Sequence, residues 1–203
     1  SLLKEDYAYA ASLKANPIEF KPRNLTYVNT IHDDYFPSIT ADGLMISTTV
    51  LTPKWRGDAV PMQHQEDMYV SHWNGKRWSY SEPLPAPMNG YGNEGSQSFS
   101  ADGRYMFFVQ CSNRENIGSC DIYYSIRKGN KWSNPINLGE PRNSRYWESN
   151  PVMSPTGDMI YFTSNRPGGL GGKDIWCVQV YIDDQGYLKT YNSAMKVAFD
   201  PTG

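Results

Sequence analysis

Four markers recur in this chain at one fixed spacing. Asp67 and Asp121, Trp78 and Trp132, Asn89 and Asn143, and Glu94 and Glu148 each lie 54 residues apart. Markers held in register over that distance identify a duplicated structural unit, and such a unit covers its apolar surface by stacking on its neighbours. A third copy shows in a shorter alignment. Asp34-Tyr-Phe-Pro-Ser-Ile-Thr-Ala-Asp-Gly43, Glu94-Gly-Ser-Gln-Ser-Phe-Ser-Ala-Asp-Gly103 and Glu148-Ser-Asn-Pro-Val-Met-Ser-Pro-Thr-Gly157 align without gaps, each opening on an acid and closing on glycine.

Behind each glycine comes an apolar run, Leu44 to Val50, Tyr105 to Val109 and Met159 to Thr163. The Ala/Pro-Asp/Thr-Gly element therefore reads as a hairpin turn with glycine at the positive-φ position. A third strand follows at Asp67 to Ser71, Asp121 to Ser125 and Asp174 to Val178, and a fourth at Lys76-Arg-Trp78 and Asn130-Lys-Trp132 onward. A four-stranded unit repeated at this spacing predicts an all-β fold, a β-propeller whose blades stack radially. About three blades are present, with inner strands starting near 34, 94 and 148, consistent with part of a larger and six-bladed ring. In blade three Gly186-Tyr-Leu188 stands in place of the Trp strand. The composition agrees: 15 Tyr, 6 Trp, 17 Gly and 14 Pro suit short strands joined by tight turns.

The ends read differently. Residues 1–16, with Leu2, Leu3, Tyr7, Ala10, Ala11 and Leu13 apolar and Asn16-Pro17 as the stop, predict an amphipathic helix, the end of a preceding helical-repeat region. Residues 17–203 form the propeller. Within them, 18–26 read as the outer strand of a blade whose other strands lie elsewhere, Thr52 to Glu66 as a long loop holding His64, and 196–203 as the start of a fourth blade.

A formal charge of −2 provides no field for nucleic acid, and no apolar run is long enough for direct membrane insertion. His32, His64 and His72 are scattered without zinc-ligand spacing, so neither a metal nor a cofactor is expected. The glycine-rich stretch Gly168 to Gly172 leads through Lys173-Asp174 into a strand, whereas a phosphate loop needs Lys-Ser/Thr ahead of a helix. Cys111 and Cys120, nine positions apart between two strands, fit either a disulfide across the hairpin, worth roughly 2–3 kcal/mol, or two free thiols. Cys177, in an apolar pattern, reads as a small buried hydrophobe.

The acid, the Ala-Asp-Gly turn, the Phe-Thr-Ser-Asn-Arg run ending at Arg166, Gly-Gly-x-Gly-Gly-x-Asp-Ile at Gly168 to Ile175 and Trp-Ser-x-Pro-x-Asn-Leu-Gly at Trp132 to Gly139 resemble the TolB-like, WD-repeat-like (WD40-like) periplasmic propeller repeat of Bacteroidota-type envelope proteins. Within that group the chain is most similar to the PorE family of the type IX secretion system, in which tetratricopeptide, propeller and OmpA-like parts follow one another. The resemblance implies a periplasmic, outer-membrane-associated protein whose partners are other envelope or secretion-system proteins. Peptidoglycan would be reached only through a domain outside these residues. It also favours the Cys111–Cys120 disulfide, because the family carries paired cysteines in Ser-Cys-Asn-Arg and Gly-Ser-Cys-Asp-Ile-Tyr motifs.

Asp34, Glu94 and Glu148 begin the inner strands and would cluster at one mouth of a ring channel. They face either a cation or basic partner group, or backbone amides at the tight corner of each blade. Arg114 and Arg166 close the second strands and read as an exposed protein-contact rim. The expected function is thus non-catalytic docking. The enzymatic rival is a sialidase-like propeller glycosidase or carbohydrate-binding module, whose Ser-x-Asp-x-Gly-x-x-Trp turn is echoed at Ser71 to Trp78 and Ser125 to Trp132. Both copies lack the Asp, having Trp73 and Arg127 there.

Overall fold

The computed structural model describes residues 2–17, 21–54, 63–191 and 195–196. A helix, α1 (Leu2–Ala15), precedes three antiparallel sheets. The first has β1 (Asp33–Ile39), β2 (Met45–Lys54), β3 (Gln63–His72) and β4 (Glu82–Pro83) in spatial order. The second has β5 (Asn93–Phe99), β6 (Tyr105–Cys111), β7 (Cys120–Lys128) and β8 (Lys131–Trp132), with β9 (Ile136–Asn137) also on β7. The third repeats this with β10 (Glu148–Met153), β11 (Met159–Ser164), β12 (Asp174–Ile182) and β13 (Leu188–Thr190), and β14 (Met195–Lys196) on β12. These are three blades in the expected strand order.

The turns follow from local chemistry. Gly43, Gly103 and Gly157 take φ of 70°, 67° and 77°, and the hydroxyl of Thr40, Ser100 or Ser154 accepts from the amide of Met45, Tyr105 or Met159 across the turn. The outer strands are split. Ser79 and Ser133 accept the amides of His72 and Ile126 on their hydroxyls, so the short ladder near each Trp is separated from the second piece at β4 or β9.

Neighbouring sheets meet face to face. Tyr105, Phe107, Ile122, Tyr124 and Leu138 of the second pack on Ile160, Phe162, Trp176 and Val178 of the third. Met68, Leu84 and Met88 of the first pack on Met106, Phe108 and Tyr123 of the second. Asn89 and Asn143 lock the connections between blades. Each accepts from the amide of Met68 or Ile122 (2.8 Å in both) and donates back to the same residue's carbonyl (2.9 and 2.8 Å). The 54-residue register of these asparagines is thus a register of backbone clamps.

Several expectations change. Residues 21–26 pair with none of the described strands, and residues 18–20 lie outside the described residues. The expected loop from Thr52 to Glu66 is strand at both ends, since β2 and β3 stay paired as far as Lys54 and Gln63 and Thr52 and Gln65 bond Asp67; residues 55–62 lie outside the described residues. Lys196 belongs to the outer edge of the third sheet and not to a fourth blade, and 197–203 lie outside the described residues. In α1 the described apolar side chains, those of Tyr7, Ala10, Ala11 and Leu13, are exposed. No described helix is long and apolar enough to cross a membrane.

Replacing Asn143 by Ala strands the buried Ile122 amide and should lower unfolding free energy by about 2–3 kcal/mol in urea titration. Burial, first, raises the phenol pKa values of Tyr105, Tyr123 and Tyr124. Their stabilisation is complete below the unfolded value near about 10 and is lost as pH rises through the folded values. The urea midpoint should therefore hold level from about pH 8 to 10 and fall by pH 11.

Candidate functional site

The starts of β1, β5 and β10, the β6–β7 and β11–β12 loops and the crossings between blades share one end of the stacked sheets. The candidate site residues Asp34, Glu94, Glu148, Arg114 and Arg166 and the Cys111–Cys120 pair lie there, and the structure gives them distinct roles. Each acid accepts the amide of the residue four positions earlier: Thr30 to Asp34 (2.8 Å), Gly90 to Glu94 (3.0 Å) and Ser144 to Glu148 (2.9 Å). The carboxylates hold the chain where it enters each inner strand. Glu148, fully buried, also accepts from the hydroxyls of Ser144 and Ser164. Asp34 keeps one buried oxygen, Oδ1, without a partner among the described residues.

Two positions after each acid the backbone turns left-handed at a non-glycine residue, with φ of 48° at Phe36, 52° at Ser96 and 53° at Asn150. The ladder slips there in all three blades, forming a β-bulge whose strain is about 1–3 kcal/mol per residue. The bulges tie blades together: Gln97 donates to the Phe36 carbonyl (2.9 Å) and Ser98 to the Pro151 carbonyl (2.5 Å). No sequence signal marks Phe36 or Ser96.

Arg166 is not on the exposed rim. Its side chain is 11% exposed, pairs with Glu148 at 3.0 Å and donates to the Pro141 and Arg142 carbonyls, with its guanidinium over the Phe162 and Trp176 rings. Neutralising the buried carboxylate takes precedence over solvent contact. Arg114 is exposed, beside a cleft of about 940 Å³ that Asn113, Glu115 and Tyr91 also border.

The loops at this end are pinned. Cys111 and Cys120 form a disulfide, and Ser119 donates to the Tyr146 carbonyl of the next blade. A Cβ on Gly118 would lie 1.9 Å from that oxygen, so only glycine fits. Asp121 accepts the Ile117 and Gly118 amides, and Asp174 accepts those of Leu170 and Gly171. The glycine-rich loop thus has its anion position filled by the protein's own carboxylate. Between the bulges and these loops lies a cavity of about 340 Å³, bordered by Phe36, Ser96, Asn150, Glu66, Trp147 and Lys173. Lys173 Nζ sits 3.8 Å from the Trp147 ring centroid. Tyr35 donates to Glu66 (2.6 Å), and burial first, then Glu66, holds its phenol above the usual range. Sequence reasoning missed Trp147 and Lys173, which meet only when two loops are brought together.

No family profile and no curated protein matches the chain. Solved structures do. TolB from Acinetobacter baumannii aligns at 18% identity over 81% of this chain and 33% of its own length, with a TM-score of 0.50. An endo-1,4-beta-xylanase from Bacteroides thetaiotaomicron aligns at 10% identity over 88% and 64%, with a TM-score of 0.53. The chain therefore spans about a third of the length of the first and somewhat under two thirds of the second. The fold is that of a β-propeller. More particularly, the described residues hold three blades of a propeller similar in fold to that of TolB.

Glu148→Gln leaves the Arg166 cation buried without its counter-charge and should cost about 3 kcal/mol or more, whereas Arg114→Ala should stay within about 0.5 kcal/mol of the parent. Parallel urea titrations of the two variants check the contrast.

Proposed function

We propose that the chain is a non-catalytic docking scaffold of the bacterial envelope, periplasmic and outer-membrane associated, serving a protein secretion machinery of the type IX kind. The observation that carries this reading is the use made of the charged groups. Glu94, Glu148, Asp121 and Asp174 accept backbone amides, and Arg166 is spent on Glu148. These four carboxylates are thereby engaged by the protein's own backbone rather than held free for acid and base roles on a glycosidic bond. What faces outward is an array of pinned loops carrying Arg114, Ile117, Leu170 and Lys173. Loops fixed in relation to one another present a contact surface at low ordering cost. In this reading the partners are envelope proteins, and contact with peptidoglycan belongs to a separate domain, as the PorE-type resemblance implies.

Affinity capture from envelope extracts should retain a defined protein in stoichiometric amount. Arg114→Glu combined with Leu170→Asp should lower its recovery at least tenfold without a shift in melting temperature beyond about 2 °C. Turnover of xylan or a sialoside by the purified chain would replace this reading with the glycosidase.

A further inference from the structure

The two seams between blades use equivalent positions but are packed differently. Between the second and third sheets, Phe107 and Tyr124 face each other across β6 and β7 and are 0% and 3% exposed, beside Tyr105. At the matching positions of the first sheet, Ser47 faces Val70 across β2 and β3, and Met45 stands for Tyr105. On the opposite wall, the position held by Val180 in the third sheet, 2% exposed and in the core, is Arg127 in the second, and it is exposed. Aromatic bulk is thus absent from one side of the seam, and an apolar residue on the other side is replaced by a cation.

The result is a cleft of about 730 Å³ between the first two blades. Such a volume lies in the range of small-molecule sites, which pair an apolar lining with a few placed polar groups. Met45, Val70, Leu84 and Trp132 supply the lining, and Arg127, Lys131 and His72 the rim. Glu82 lines the same cleft, and Asp42 lies within electrostatic reach of Arg127. Arg127 Nε donates to the Gly129 carbonyl (3.2 Å), which fixes the guanidinium at the rim. The repeat requires none of these replacements, since the other seam is filled. A position at which one blade abandons the shared core is where a role specific to that blade is expected.

We propose that this cleft binds a small amphipathic carboxylate, its apolar chain or ring against Met45, Val70, Leu84 and Trp132 and its carboxylate on Arg127 and Lys131. The bidentate fork of arginine suits a carboxylate, and the enclosed apolar floor excludes ions without an apolar body.

Decanoate and its uncharged analogue decanol serve as probes, followed by calorimetry and Trp fluorescence on the full chain. Decanoate should bind saturably, at least tenfold tighter than decanol. Two substitutions restore the residues of the other seam and so should fold. Val70→Tyr should fill the cleft, abolish uptake and leave the melting temperature unchanged or higher. Arg127→Val should remove the preference for decanoate over decanol while retaining both. Absence of saturable binding up to about 1 mM overturns the proposal. So does uptake that persists in Val70→Tyr, which would mark the cleft as a packing defect only.

Discussion

Each sheet carries large side chains on a face that only a neighbouring sheet can cover, and the rest of the structure depends on that burial. Phe107, Phe108, Tyr105 and Tyr123 lie within the second sheet and are all essentially fully buried, although they project to two opposite faces. A strand buried on both sides loses the alternation of polar and apolar residues and reads as a continuous apolar run, as β6 does from Tyr105 to Val109. Burying the two aromatic faces of the second sheet contributes several kcal/mol for each large side chain, so the blades stand or fall as a stack.

Stacking brings backbone polar groups into places that water does not reach, and the repeated polar residues answer that need. Asn89 and Asn143 satisfy the outward groups of one third-strand residue each, the inner-strand acids hold the corner amides, and Asp121 and Asp174 hold the loop amides. Repetition in this chain therefore marks architecture. The features that escape the repeat are of another kind: Trp147 with Lys173 beside the bulges, and Ser47, Val70 and Arg127 in the first seam.

The strand order and the hairpin turns were legible because each depends on residues near in sequence or on spacing preserved between copies, whereas spacing alone left Cys111 and Cys120 open between a disulfide and free thiols and the family resemblance favoured the bond that the fold holds. Of the two partners the sequence left open for the inner-strand acids, a cation or the corner amides, the fold supplies the amides. Whether a carboxylate at an inner corner meets a cation or an amide depends on where the preceding four residues turn. Arg166 shows the limit most clearly. In the sequence it is an arginine beside glycines, which looks like surface; in the fold it meets Glu148 from an adjoining strand and Pro141 and Arg142 from the crossing between blades.

By itself the sequence determined a set of four-stranded units, their number among these residues and the turns that join their strands, because period and turn chemistry are local properties of the chain. Tertiary structure alone decided which charges are consumed, where the backbone bulges at Phe36, Ser96 and Asn150, and which seam is left open. Those outcomes depend on side chains from different blades competing for the same space. Ser47 and Val70 are unremarkable residues in a strand until Phe107 and Tyr124, across the same pair of strands in the next blade, show how much volume the position can hold.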